Sequence, residues 1–286
     1  MSGAPDPLAG LLAAERLTAV VDIGANPIDG DPPYKKMLAK RLCRVVGFEP
    51  QAEALAALER QKSDLETYLP HAIGDGNDAV LRVCRAPGMT SLLEPEPRVL
   101  KLFAGFPEFG TVIKKIPVTT RRLDSIEEIA DLDFLKIDVQ GSELNIFRGG
   151  RSRLSRAVAI QTEVSFIPLY RDQPVFGDVD LELRGLGFVP HCFAGIKRWM
   201  ILPGHHPKGP HVARNQVLES DIVYVRDFTR PDDMSAEQLK HLAMISHHCY
   251  RSHDLTMNCL QQLERRKAVA VGSLTNYAAV LKAGKP

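Results

Sequence analysis

The chain has 286 residues, 44% hydrophobic and 25% charged, the proportions of a globular protein that buries a sizeable core. Its formal net charge of +1 leaves no global field to recruit nucleic acid or an anionic membrane. The five cysteines (Cys43, Cys84, Cys192, Cys249, Cys259) make no Cys-x-x-Cys pair, no signal pattern opens the chain and no apolar run nears a membrane span, so a disulfide framework, a thiolate zinc site and a spanning segment are set aside and a reducing cytoplasm is expected.

In chain order, residues 1–6 read as loose and 8–16 as a short helix leading to a buried strand over 17–23. That strand runs into Asp22 and then a tight turn at Gly24, where the missing Cβ lets backbone approach a ligand. Residues 26–33 are too rich in Pro and Gly to be helical, so the next helix is expected at 34–42. A second strand over 43–48 ends at Glu49-Pro50, and an amphipathic helix follows over 51–61. A third strand is expected over 68–73, its tip (Ile73, Gly74, Asp75) lying beside the first two, where an adenine edge would need partners.

Period-two alternation around 80–84 and 112–118, with a Gly-Met-Thr-Ser-Leu-Leu segment (88–93) between, predicts a hairpin inserted before the fourth core strand. A short acidic helix is expected over 123–130, the fourth strand over 134–137, and a helix over 142–147 halted at Gly149-Gly150. The fifth strand, 157–164, carries Glu163 near its end; a helix over 179–186 and strands at 188–193, 199–202 and 221–225 complete the sheet. The tail changes character. Helices at 236–249 and 255–266, and a possible third at 268–281, have no strand between them. They read as a packing or dimerisation appendage, with a substrate lid as the alternative, and His247-His248 is expected to face solvent. The expected division is 1–230 for the α/β domain and 231–286 for the helical extension.

An acid at the tip of the second strand of a βαβ unit is placed to accept hydrogen bonds from both ribose hydroxyls, so Gly24 and Glu49 together suggest a nucleoside-containing cofactor. The dinucleotide fingerprint is missing: Asn26-Pro27 stands where the second glycine would be, and no Gly-Lys-Ser/Thr phosphate cradle occurs. A ligand with ribose and no phosphate, S-adenosylmethionine, fits this loop better than NAD or ATP. Asp22, Gly24, Ala25, Asn26, Glu49, Pro50, Ile73, Gly74, Asp75 and Asp138 are the candidate cofactor residues.

Methyl transfer from a sulfonium is a direct displacement, in which the protein aligns nucleophile, methyl and sulfur and helps remove the hydroxyl proton. Candidate bases are His71, His191, His205, His206 and His211, with the Pro-Gly-His-His-Pro loop (203–207), and so His205, the most lid-like. Asp138, at the carboxyl end of a central strand, can orient the cofactor's amino group, position an acceptor hydroxyl or hold a metal; its structural alternative is capping the next helix. Glu143 lies in the first helical turn, where the helix dipole favours an acid in any case, and Glu163 can face the same crevice. Three acids there can form an oxygen-rich metal site, yet nothing in the spacing fixes that geometry, and no metal is assigned. The tetrapeptide Asp31-Pro32-Pro33-Tyr34 matches the base-holding motif of nucleic-acid amino-methyltransferases, but it follows the first strand instead of the fourth and is read as coincidence.

Four pieces in order, Val-Val-Asp-Ile-Gly-Ala-Asn (20–26), Val-Val-Gly-Phe-Glu-Pro (45–50), Phe-Leu-Lys-Ile-Asp-Val-Gln-Gly-Ser-Glu (134–143) and Ile-Gln-Thr-Glu-Val (160–164), resemble the FkbM family of S-adenosylmethionine-dependent methyltransferases over roughly residues 17–226. The resemblance implies a seven-stranded Rossmann-like methyltransferase sheet with helices on both faces, here with a C-terminal α-helical extension, acting on a hydroxyl of a sugar, glycan or secondary metabolite. It matches Asp22, Gly24 and Asn26 to the cofactor loop, Glu49 to the ribose acid, and Asp138 and Glu143 to an acidic pair. Two departures stand out: the 27–33 insertion, and Gln140 where the family commonly has Glu. The expected partner is a small-molecule or glycan acceptor, with a homodimer allowed by the tail. The competing reading is a non-catalytic protein of the same fold that recruits a partner through its C-terminal helices.

Overall fold

The computed structural model describes residues 6–26, 30–204, 206–208, 212 and 215–283. Among these, chain order gives strands β1 (Thr18–Ile23), β2 (Cys43–Phe48), β3 (Glu66–Leu69), β4 (Asp78–Cys84), β5 (Val112–Thr119), β6 (Phe134–Ile137), β7 (Ala159–Ser165), β8 (Phe188–Arg198) and β9 (Val217–Arg226). Seven of them form one sheet in the order β3-β2-β1-β6-β7-β9-β8, while β4 and β5 pair with each other as the expected inserted hairpin. The first five of the sheet run parallel, and β9 lies antiparallel between β7 and β8. This is the expected Rossmann-like α/β sheet with helices on both faces. The chain leaves β1 towards β2 on one side and returns at β6 on the other, so the carboxyl ends of β1 and β6 frame the switch point where ligands of open α/β sheets bind.

Both faces of β1 are buried, and its alternation sorts the core. Val21 and Ile23 join Leu135, Ile137, Ile146 and Phe147 on one face, beneath helices Glu143–Gly149 and Phe176–Gly185. Val20 joins Val45, Phe134 and Val223 on the other, which is covered by helix Pro7–Leu12, the five-residue helix Lys35–Ala39, and the tail. Tail helices Ala236–His248, His253–Arg265 and Ser273–Ala283 bury Leu239, Leu242, Leu260 and Leu263 in that same core. The first begins at a reciprocal cap, in which Ser235 Oγ accepts from Gln238 N–H and Gln238 Oε1 accepts from Ser235 N–H.

Several expected elements are displaced. The third strand occupies 66–69 and not 68–73, because Pro70 has no N–H to continue the ladder. The helix expected over 123–130 is only a 3₁₀ turn, Leu123–Ser125. The strand expected at 199–202 is absent: β8 runs unbroken to Arg198, and Trp199 packs edge-on against Phe106 at 4.9 Å. His247 and His248 do not face solvent either. His247 Nδ1 lies 2.8 Å from the Tyr277 hydroxyl, His253 Nδ1 lies 3.0 Å from the same oxygen, and buried His248 stands 3.4 Å from Asp6. Residues 1–5 and 27–29, part of the Pro-rich loop, lie outside the described residues, of which no helix is long and apolar enough to cross a membrane.

The tail histidines give stability a pH dependence. Burial, with His248 and His253 alongside, pushes His247 down to about 4, and burial likewise lowers His248. A depressed imidazole is neutral when folded, so its contribution is complete above the unfolded value near 6.5 and lost as pH falls towards 4. The melting temperature should fall between pH 7 and pH 5, and His247→Gln, which keeps a hydrogen-bonding group for Tyr277, should flatten that fall in a thermal scan.

Candidate active site

A cavity of about 840 Å³ opens at the switch point. Its wall includes Asp22 near the end of β1 and Gly24, Ala25 and Asn26 after it, Glu49 and Pro50 after β2, His71 and Ile73 beyond β3, and Asp138 and Gln140 after β6. Pro87, Gly88, Thr90, Ser91 and Leu92, from the segment between β4 and β5, also line it, so the inserted hairpin contributes a wall of its own. Gln161, Ala194 and Asp221 line it from β7, β8 and β9.

The β1 turn is held from three sides. The N–H groups of Gly24 and Ala25 both donate to the Phe48 carbonyl at 3.1 Å, and Asp138 N–H donates to the Ile23 carbonyl at 3.0 Å. Lys136 Nζ donates to the Gly24 carbonyl at 3.1 Å and stands 3.4 Å from Asp22 Oδ1. Gly24 has φ +77°, and a Cβ there would sit 2.0 Å from the Asp138 carbonyl oxygen, so only glycine fits. Asp22 is 1% exposed; its Oδ2 accepts from the Tyr34 hydroxyl at 2.6 Å, and its Oδ1 has no hydrogen-bond donor. Burial raises its pKa, while Lys136 and Tyr34 oppose that. Tyr34 is thus buried with its hydroxyl committed to Asp22, and the tetrapeptide 31–34 lines the cavity beside the β1 tip. Glu49, 3% exposed, accepts the Gln51 N–H at 2.8 Å; burial raises its pKa and that hydrogen bond lowers it.

Not every candidate reaches the cavity. Gly74 and Asp75 lie off its wall, and Asp75 instead closes its own turn by accepting from the N–H and side-chain amide of Asn77. Glu143 is turned beneath the β6 turn, where one oxygen accepts the N–H groups of Val139 and Gly141 at 3.0 and 3.2 Å. Glu163 lies one layer back. Gln140 Nε2 donates to Glu163 Oε2 at 2.6 Å and to Asp138 Oδ1 at 2.7 Å, separating the two acids, and Lys197 Nζ donates to Glu163 from the far side at 2.9 Å. Burial, with Asp138 and Glu219 nearby, raises Glu163 well above the usual carboxylate range, against the pull of Lys197. The three acids therefore do not converge, and among the described residues no group of His, Cys, Asp and Glu could hold a metal ion.

The histidines fare similarly. His205 and His211 lie outside the described residues. His191 Nε2 sits 2.7 Å from Ser252 Oγ and off the cavity wall, as does His206. His71 does line the cavity, but beyond β3, with Arg121 2.8 Å from its Nε2; burial and that guanidinium lower its pKa. Among the wall residues that the sequence did not mark as site residues are Lys136 and Gln161, while Tyr34 entered only within the tetrapeptide read as coincidence. Asp22, Lys136 and Gln161 stand in register across β1, β6 and β7. A lysine inside the apolar run Phe-Leu-Lys-Ile was the available signal, because a charge buried in a central strand needs a partner.

Two outcomes follow. Gly24→Ala forces a side chain into the Asp138 carbonyl and a left-handed backbone, and should cost about 3 kcal/mol or more in denaturant unfolding. Burial, with Asp138 adding to it and the backbone hydrogen bonds opposing it, pushes Glu143 up to about 7. A raised carboxyl contributes stability that is full below its unfolded value near 4.5 and lost as pH rises towards 7. Glu143→Gln should therefore melt above the wild type at pH 8 and close to it at pH 5.

The family model described as the methyltransferase FkbM domain matches residues 22–190, more than half of the chain and all of the β1, β2 and β6 tips except the strand leading to Asp22. No curated protein matches. Among solved structures, magnesium protoporphyrin IX methyltransferase from Synechocystis, with bound S-adenosylmethionine, is 14% identical over 77% of this chain and 76% of its own, at a TM-score of 0.36. A precorrin-6y C5,15-methyltransferase from Geobacter metallireducens is 12% identical over 77% and 85%, also at 0.36. Both likenesses are too distant to carry an argument, and the assignment rests on the family match. The chain belongs to the FkbM family of S-adenosylmethionine-dependent methyltransferases.

Proposed function

We propose that this methyltransferase acts on a hydroxyl group of a sugar, glycan or secondary metabolite, with the cofactor held by the tips of β1 and β2 and the acceptor beyond Asp138. The observation that carries this reading is that Asp22, Glu49 and Asp138 line one cavity at the switch point. The residues fit the cofactor: a buried carboxylate at Glu49 for the ribose diol, a glycine turn with no Cβ in the way, and no phosphate cradle. Ala25, Asn26, Pro50 and Ile73 line the same part of the wall and would flank it. Near 840 Å³, the cavity lies towards the upper end of the roughly 300–1,000 Å³ range of small-molecule pockets, which suits a cofactor and a second ligand together.

S-adenosylmethionine, when bound, supplies a methyl group on a positively charged sulfur. The chain's own residues do the rest. Asp138, the half-buried acid on the wall after β6, would accept the proton of the acceptor's hydroxyl. Gln140 fixes that carboxylate by donating to its Oδ1, leaving the second oxygen for the acceptor. The 87–92 segment closes one side of the cavity. Glu143 supports the turn, and Glu163 backs Gln140; neither touches the reacting groups. Gln161 and Asp221 extend the polar wall past Asp138, as a hydroxyl-rich acceptor requires. A reducing cytoplasm suits five free thiols.

Loss of hydrogen bonds to a buried carboxylate is worth about 2 kcal/mol, so Glu49→Ala should weaken S-adenosylmethionine binding by roughly thirtyfold in calorimetry. Unchanged affinity in that variant would remove the ribose assignment. Labelled methyl groups should pass to an alkali-stable ether in small-molecule or glycan extracts; labelling confined to amines would exclude the hydroxyl acceptor.

A further inference from the structure

Past Asp138 the cavity has an end wall built on β7 and β9, and its groups narrow the kind of acceptor that fits, given the hydroxyl acceptor proposed above. Gln161 of β7 stands opposite Lys136 of β6 on one side and opposite Val223 of β9 on the other. Paired residues share a face of a sheet, as do residues two apart, so Gln161 faces the same way as Asp138 and Asp221. Asp138 still follows the strand geometry, because its N–H donates to the Ile23 carbonyl. With strands about 4.8 Å apart and a rise of about 3.3 Å per residue, Gln161 lies roughly 8 Å diagonally from either acid at the backbone. Side chains reaching inward across that separation can touch one small molecule together. Ala194, from β8, adds only a methyl group at this end.

The Gln161 amide is oriented from the tail. Tyr250, between the first two tail helices, donates its hydroxyl to Gln161 Oε1 at 2.9 Å, and its ring is fixed edge-on against Phe134. The amide oxygen is thereby occupied and the nitrogen is turned elsewhere. Among the described residues Gln161 Nε2 has no hydrogen-bond acceptor, and it is not one of the buried side-chain atoms that lack a partner. It is therefore accessible, and with β6 and β9 on either side the open space beside Gln161 is the cavity. Asp221 lines the same end, with a carboxylate that can accept several hydrogen bonds. A hydroxyl both donates and accepts, so an amide N–H beside a carboxylate is the pair that suits it. An alkyl group in that place would leave both unmatched, at a cost in affinity.

We propose that Gln161 and Asp221 form a subsite for a second hydroxyl of the acceptor, beside the one that is methylated, and that Tyr250 positions the Gln161 amide for it. The acceptor is then a polyol and not a lone alcohol. Tyr250 is not on the cavity wall and acts only through Gln161. The tail completes the acceptor site without lining it.

Full-length protein would be given S-adenosylmethionine with a labelled methyl group and the same small-molecule and glycan extracts as acceptor pool. Ethers labelled by the wild type should carry a free hydroxyl beside the new methyl group, read by NMR. Rates over a dilution series of the extract separate KM from kcat. Gln161→Leu should raise the KM for the extract about fivefold and Tyr250→Phe about threefold, with kcat within about twofold. Calorimetric affinity for S-adenosylmethionine should stay within about twofold in both, which a general loosening of the site would not allow. The proposal is overturned if the labelled ethers lack a second hydroxyl, if neither variant moves the extract KM, or if cofactor affinity falls in step with it. Should Gln161→Leu fail to fold, Tyr250→Phe decides alone, since it keeps the ring against Phe134. A wild type that labels no ether at all would instead remove the hydroxyl-acceptor reading, and this proposal with it.

Discussion

One lysine ammonium holds the two halves of the site together. Lys136 enters from β6, donates to the carbonyl of Gly24 and stands against Asp22, so the turn after β1 and the tip of β6 cannot shift independently. Burial works against its charge, and Asp22, Asp138 and Asp221 sustain it. Buried ion pairs of this kind gain little net stability, because desolvation offsets most of the attraction, whereas removing one partner strands the other at a cost of about 3–5 kcal/mol. The pair is better understood as a geometric device. It fixes a left-handed glycine against the Asp138 carbonyl, and Tyr34 braces Asp22 from the opposite side.

The fold was legible wherever sequence period and burial agreed. β2 and β6 appear with the bounds expected, since each is a short apolar run closed by a residue that turns the chain. The misreadings have local causes. Leu123, Ile126 and Ile129 recur every three residues and looked helical, and all three are indeed buried, yet the chain uncoils after one 3₁₀ turn. Arg153 explains why: its guanidinium donates to the carbonyls of Ile126 and Ile129, taking acceptors that a helix would use for itself. Trp199 looked like strand and is instead drawn off by Phe106 and by the Ala104 carbonyl, which accepts its indole N–H. Neither distant partner is visible from the local pattern.

Within the site, the legible acids were those whose backbone position alone determines where they point. Asp22, Glu49 and Asp138 stand at the ends of parallel strands, and any such residue borders the crevice. Glu143 and Glu163 resemble them in sequence but depend on neighbours no periodicity reveals. The backbone N–H groups of the β6 turn capture one, and the Gln140 amide stands in front of the other. Gln140 itself has φ +57°, a conformation costly for a side chain, held by the Ser91 hydroxyl donating to its carbonyl. Its replacement of the family's common glutamate thus has a physical counterpart: an amide can donate to two carboxylates at once, where a third acid would repel both.

The short helix after the insertion explains why the tail is needed at all. Five residues at 35–39 cannot cover the face shared by β1, β6 and β7, and the three tail helices supply the missing apolar surface. Their reach extends beyond packing. Between the first two of them, Tyr250 sets its ring edge-on to Phe134 and donates its hydroxyl to Gln161 Oε1 at 2.9 Å. Burial holds that phenol protonated, so it is a donor and the Gln161 amide is turned with its N–H₂ away from it. Gln161 lies in register with Lys136 and lines the cavity past Asp138. The segment that looked like an appendage is therefore in hydrogen-bond contact with the wall of the site, and a change in how the tail packs would be felt there through a single amide.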